Sequence, residues 1–148
     1  METYKPVQIL LVEDNPDDIE ITRRALAKSR IANSVTIARD GSEALALLLG
    51  GEDAPDALRP NLILLDLNLP RVSGIEVLQT LRGSSDPRLA ATPVIVLTSS
   101  SREEDVVRSY QLGSNTFIQK PVEFDKFLHA VAVLGEYWIV IATLPNAA

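Results

Sequence analysis

Polar side chains that could take part in chemistry follow the short apolar runs of this sequence. The residues are Glu13, Asp14, Asp66, Thr98 and Lys120. If the fold brings the carboxylates together, they repel unless a cation neutralises them, and Mg²⁺ suits such a site because it keeps water and phosphate oxygens as its other ligands. If one carboxylate attacks a phosphoryl group, Lys120 can neutralise charge on the equatorial oxygens while Thr98 donates a hydrogen bond to one of them. This set is typical of an aspartyl phosphate site.

Five apolar runs must position these side chains. They are short and rich in β-branched residues, as strands buried on both faces are, and they span residues 8–12, 35–38, 62–65, 94–97 and 116–119. Caps and apolar stripes predict helices from Pro16, over Ser42 to Leu49, Ser73 to Arg82 and Ser101 to about Leu112, and from about Glu123.

This alternation predicts the α/β class: a flavodoxin-like doubly wound sandwich with a five-stranded parallel sheet in the order 2-1-3-4-5 and five helices. Ligands of such sheets bind at the carboxyl ends of the strands. The five polar side chains are therefore expected at one edge of the sheet.

Composition limits the classes of function. The 148 residues fit one domain, and 46% hydrophobic content can fill a core. No cysteine and a single histidine, His129, exclude thiol chemistry and histidine metal clusters, and a net charge of −6 argues against a nucleic-acid surface. We find neither an apolar run long enough to span a membrane nor a leader segment, so we expect a cytoplasmic protein without membrane contact.

Four motifs, each after its expected strand, carry a family resemblance. They are "VEDNPDD", "LLDLNLPRVSG", "VLTSS" and "FIQKPV". With these motifs in this order, the chain resembles the response-regulator receiver domain of two-component signalling. We expect a single receiver domain over residues 1–148, with a core over about 7–134 and an apolar extension over 135–148. The resemblance implies a phosphoacceptor that assists its own phosphorylation and dephosphorylation and is not otherwise an enzyme.

The resemblance assigns roles to single positions. Asp66 is the expected phosphoacceptor, and Glu13 and Asp14 are the expected acidic pair at the metal. Asn68 is expected to give its backbone carbonyl to the same ion. The expected ion is Mg²⁺ or another divalent cation such as Mn²⁺ or Ca²⁺.

The same resemblance makes Lys120 the lysine paired with the phosphoryl group and Thr98 the switch hydroxyl. Pro121 is a candidate for a cis peptide bond. Phe117 occupies the aromatic switch position, where the ring lacks the hydroxyl of a tyrosine. Only ring packing can then report the state of the site.

The segment from Tyr137 to Leu144 contains no charge, and apolar surface of this kind indicates a partner or a fold-back onto its own domain. It resembles the tail of single-domain regulators that work with phytochrome-type histidine kinases. By that analogy we expect a homodimer through the fourth predicted helix, the fifth strand, the fifth predicted helix and the tail. The expected interface residues are Tyr137, Trp138, Ile139 and Ile141. A sensor histidine kinase and a downstream phosphotransfer protein are the other expected partners.

The sequence disfavours three functions other than that of a phosphorylated receiver. An aspartyl-nucleophile phosphatase needs a second aspartate two positions after the first, where this chain has Asn68. A flavin electron carrier needs a phosphate-binding loop after the first strand, where this chain has the acidic "EDNPDD". A receiver that is never phosphorylated is disfavoured because the acceptor, the acidic pair and the lysine are all present.

Overall fold

The computed structural model describes residues 7–28, 33–50, 57–67, 69, 71–98, 111, 113 and 116–119. For Thr98 and for residues 116–119 it describes the backbone alone. The helix predicted from about Glu123 lies outside the described residues. Of the helix predicted over Ser101 to about Leu112, only Gln111 is described, and it is helical.

Five strands form one parallel sheet. They are β1 (Val7–Val12), β2 (Asn33–Ala38), β3 (Leu62–Asp66), β4 (Val94–Thr98) and β5 (Thr116–Gln119). Their order is β2-β1-β3-β4-β5, and every adjacent pair is parallel. The predicted order is therefore confirmed. Strand β3 lies at the centre of the sheet, and all five of its residues are buried.

The helices in the described part of the chain are α1 (Pro16–Lys28), α2 (Gly41–Leu49), α3 (Gly74–Arg82) and α4 (Pro87–Ala90). The first three lie where the sequence predicts them. The one-turn helix α4 was not predicted, because four residues are too short to show helical periodicity. Its start does carry a local signal, since the Asp86 side chain accepts a hydrogen bond from the Arg88 backbone N–H and Pro87 occupies the first turn. None of these helices has the length and apolar character needed to cross a membrane.

Both faces of the sheet are covered, as a doubly wound fold requires. Side chains alternate along each strand, so Ile9 and Leu11 of β1 pack with α1, while Leu10 and Val12 pack on the other face with α2, α3 and α4. Strand β3 divides in the same way between the two faces. Its apolar run, buried on both sides, is therefore a rigid support for the residue at its end, Asp66.

Arg82, the last residue of α3, holds together the amino ends of two strands. Its guanidinium donates hydrogen bonds to the carbonyls of Ala90 and Thr92, which precede β4, and to that of Gly113, which precedes β5. Burial lowers the pKa of Arg82, because removal from water disfavours the charged form. Hydrogen bonds to three carbonyls compensate for this desolvation and fix the edge of the sheet opposite Asp66.

Replacing Arg82 should therefore cost far more stability than replacing an exposed arginine. We expect Arg82→Met, which keeps an apolar stem, to lower the free energy of unfolding by about 2–4 kcal/mol, because carbonyls are left without donors. Urea denaturation measures the change. Arg24→Met is the control: Arg24 forms an exposed ion pair with Glu20 at 2.9 Å, and its loss should cost less than about 1 kcal/mol. Equal effects of the two variants would contradict the role of Arg82.

Candidate metal centre

Three carboxylates meet at the carboxyl edge of the sheet. Glu13 and Asp14 follow β1, and Asp66 ends the neighbouring strand β3. One carboxylate oxygen from each of the three residues lies within 4.8 Å of the other two. The predicted convergence of these side chains is therefore observed, although the sequence separates the first pair widely from the third residue.

The three carboxylates differ in burial. Glu13 is 1% exposed and Asp66 is 5% exposed, whereas Asp14 is exposed to solvent. Buried carboxylates are costly unless they are paired or hydrogen-bonded, and a cluster of three like charges adds repulsion. A hard divalent cation relieves both costs, because oxygen ligands on a rigid frame are what it binds. The three carboxylates therefore fit a divalent cation, and solvent would reach that cation from the side of the exposed Asp14.

Glu13 also organises the loop that presents Asp14. Its Oε2 accepts hydrogen bonds from the backbone N–H groups of Asp14, at 3.1 Å, and of Asn15, at 3.3 Å. Its own N–H donates to the carbonyl of Ala38 at the end of β2, at 2.9 Å. The sequence assigned Glu13 to the metal and did not predict these hydrogen bonds. The position of Glu13 just before a helix start is the signal that could have indicated them.

The chain turns back closely after Asp66. The N–H of Gly74 donates to the carbonyl of Leu67 at 3.2 Å, so α3 begins against the residue that follows the acceptor strand. A Cβ atom at Gly74 would lie 2.6 Å from the Leu67 Cα and would also overlap the Asp66 carbonyl. Only glycine permits this approach. The sequence motif contained Gly74, but a glycine seen in sequence alone does not reveal what it contacts.

Two further predicted site residues are placed by their backbones. In the β3–β4 pairing Asp66 is opposite Leu97, so Thr98 follows at the same carboxyl edge. Phe117 lies in β5 opposite Val96. Only the backbones of these two residues are described, so their switch roles stay predictions. Outside the described residues altogether lie Asn68, Lys120, Pro121, His129, Tyr137, Trp138, Ile139 and Ile141.

The fold and the site together define a class. The chain is an α/β protein with a doubly wound parallel sheet. At the carboxyl edge of that sheet, an acidic pair and an aspartate from neighbouring strand ends form a group that could hold a divalent cation. The model of the family described as "response regulator receiver domain" matches residues 9–132. The chain belongs to this family.

Individual relatives agree with that assignment. Response regulator Rcp1 of Synechocystis is 39% identical over 146 residues, which cover 99% of this chain and 98% of the relative. The structure of the phosphorylated cyanobacterial phytochrome response regulator RcpA is 41% identical with a TM-score of 0.79, covering 91% of this chain and 95% of that one. The Mn²⁺-bound form of Rcp1 is 39% identical with a TM-score of 0.78, and the match covers 90% of this chain and 94% of that one.

These similarities confirm the predicted receiver family and the likeness to phytochrome response regulators. The chain is a response regulator, and receiver domains work with histidine kinases. The comparisons give no support to the alternative of an aspartyl phosphatase.

A cation that binds the carboxylate cluster should stabilise the folded protein. At 100 times its dissociation constant, we expect it to raise the free energy of unfolding by about 2.7 kcal/mol, measured by urea denaturation with and without MgCl₂. Asp14→Asn should lose most of this gain, yet without the cation it should be at least as stable as the wild type, because it removes one of three repelling charges.

Asp17→Asn is the matched control, since Asp17 is an exposed carboxylate in the first turn of α1. It should lose about 0.3–1 kcal/mol of helix-dipole stabilisation in both conditions and keep the full gain from the cation. An equal loss of the gain in Asp14→Asn and Asp17→Asn would place the cation elsewhere.

Proposed function

We propose that Asp66 accepts a phosphoryl group from a histidine kinase while a divalent cation, Mg²⁺ in the cell, is bound beside it. The observation that carries this proposal is the carboxylate cluster within 4.8 Å, with Asp66 at the end of a fully buried central strand. The Mn²⁺-bound form of Rcp1 supports a divalent cation at this site, and the phosphorylated form of RcpA supports phosphorylation.

The chain's own residues hold the reaction centre in place. Asp66 attacks phosphorus through a carboxylate oxygen, an O–P bond forms, and the bond from phosphorus to the donor's imidazole nitrogen breaks. Strand β3, hydrogen-bonded on both sides, keeps Asp66 in position during this exchange. A bound cation would supply positive charge toward the phosphoryl oxygens. Asp14, Asp66 and Glu13 would hold it, together with the backbone carbonyl predicted for Asn68.

The remaining predicted roles complete the proposal. Lys120 would neutralise the charge on one phosphoryl oxygen, and Thr98 would donate a hydrogen bond to another. Through this hydrogen bond, Thr98 would link the state of the site to the packing of the Phe117 ring. The chain would thus assist both its own phosphorylation and its own dephosphorylation. Asn68, which has no acidic proton to give, favours this self-directed reaction over turnover of external phosphate esters.

Phosphorylation at Asp66 is tested with a small phosphodonor. Incubation with acetyl phosphate and MgCl₂ should add one phosphoryl mass that hydroxylamine removes, because acyl phosphates react with this nucleophile. Intact-mass spectrometry should show the adduct in the wild type and in the control Asp17→Asn, and no adduct in Asp66→Asn or after chelation of the cation. An adduct of undiminished yield in Asp66→Asn would refute the assignment.

We also propose a donor and an assembly. The likeness to phytochrome response regulators supports a phytochrome-type histidine kinase as the donor of the phosphoryl group. A downstream phosphotransfer protein would then accept the phosphoryl group from this chain. The uncharged segment from Tyr137 to Leu144 supports a homodimer in which Tyr137, Trp138, Ile139 and Ile141 lie at the interface. The switching surface would be the one formed by β5 and by the two predicted helices that lie over Ser101 to about Leu112 and from about Glu123. A single domain over 1–148 and a cytoplasmic location stay predictions from the sequence.

The contribution of the tail is tested by shortening the chain after Gly135. We expect the full chain to elute as a dimer and the shortened chain as a monomer, because the apolar tail supplies much of the proposed contact area. Size-exclusion chromatography with light scattering gives the masses, and circular dichroism checks that the shortened chain is folded. A shortened chain that is folded and still dimeric would exclude the tail from the interface.

A further inference from the structure

At the carboxyl edge of the sheet, the turn between β2 and α2 contacts the segment between β3 and α3 through backbone atoms. Gly41, the first residue of α2, is buried, and a Cβ atom there would lie 2.8 Å from the Val72 carbonyl carbon and 2.9 Å from the Val72 Cβ, with an overlap onto the Val72 carbonyl oxygen. Val72 belongs to the acceptor loop, which we define as residues 67–73 between Asp66 and α3. Glycine is therefore needed at position 41 because of this close approach.

Hydrogen bonds hold the turn between β2 and α2, which carries Gly41. The Asp40 side chain accepts a hydrogen bond from the Glu43 N–H at 2.7 Å, and Oε2 of Glu43 accepts one from the Arg39 N–H at 3.1 Å. These two hydrogen bonds, similar to a capping box except that the second donor precedes the N-cap Asp40, hold the start of α2 in place. The preceding Ala38 accepts from the N–H of Glu13 at 2.9 Å. The turn is thus tied directly to the acidic pair.

The acceptor loop is fixed at the other side of the contact. Val72 packs against the buried cluster formed with α2 and α3. Next to it, Arg71 has a positive φ of 66°, a left-handed conformation that a residue with a Cβ atom keeps only when its surroundings hold it there. Gly74 then joins the end of the loop to Leu67. Because Gly74 contacts Leu67 and the Asp66 carbonyl, a displacement of Val72 and the residues after it would reach the end of β3.

From these contacts we infer that Gly41 is a positioning residue for the phosphoacceptor site. Val72 rests on it, and through Val72 it sets how far the start of α3 and the end of β3 lie from the Glu13–Asp14 pair. This inference rests on the proposed function. Misplacement of a ligand or reacting group by about 1 Å lowers rates by about 100-fold, so a displaced loop should affect cation binding and phosphorylation in protein that is still folded.

The test compares Gly41→Ala with Gly83→Ala in the full chain. At Gly83 a new Cβ atom would meet only the Gln79 carbonyl oxygen, at 3.3 Å, at the far end of α3. We expect Gly41→Ala to weaken Mg²⁺ binding by about 10- to 100-fold and to slow phosphorylation by acetyl phosphate by a similar factor. Gly83→Ala should match the wild type in both. Calorimetric titration is done where circular dichroism shows each variant to be folded.

A second-site change separates positioning from loss of stability. Val72→Gly removes the Val72 Cβ and frees the backbone, so Gly41→Ala/Val72→Gly should bind Mg²⁺ at least about threefold more tightly than Gly41→Ala alone. If Gly41→Ala does not fold, Gly41→Ala/Val72→Gly is compared with Val72→Gly: weaker Mg²⁺ binding in the double variant supports positioning by Gly41, and equal binding refutes it. Wild-type Mg²⁺ affinity in folded Gly41→Ala would also refute it. Failure of the wild type to bind Mg²⁺, or an adduct in Asp66→Asn, would instead contradict the proposed function.

Discussion

Mutual repulsion of three carboxylates is the constraint on which this structure depends. Glu13, Asp14 and Asp66 would separate if their backbones were free to move, yet their oxygens lie within 4.8 Å of one another. Burial of β3 on both faces and parallel pairing with β1 hold the cluster together. The buried core thus holds three carboxylates together at a place where a cation could bind.

Much of this arrangement could be predicted because it follows from periodicity and strand-end position. Short apolar runs such as Leu62 to Leu65 predicted the strands, and the rule that ligands bind at carboxyl ends then brought Glu13, Asp14 and Asp66 together. The sheet order and these three positions agree with the structure. Residue types at strand ends carry this information because a parallel sheet places all its carboxyl ends on one side.

Contacts between loops were not predictable in the same way. The hydrogen bonds of Arg82 to backbone carbonyls, the Oε2 contacts of Glu13 and the closeness of Gly41 to Val72 depend on how separate turns meet in space. Such contacts leave no periodic pattern in the sequence. A glycine or an arginine in a turn can also be present for many other structural reasons. The short helix α4 was missed for a related reason, because one turn is below the length at which a pattern can be seen.

The two edges of the sheet are held by different physical means, and the difference suits their tasks. At the amino edge, the charged group of Arg82 supplies several hydrogen bonds, so that edge is stabilised by polar contacts that resist displacement. At the carboxyl edge, Gly41 and Gly74 allow backbones to touch without any side chain between them. Backbone contact thus places the start of α2 against Val72 and the start of α3 against Asp66 and Leu67.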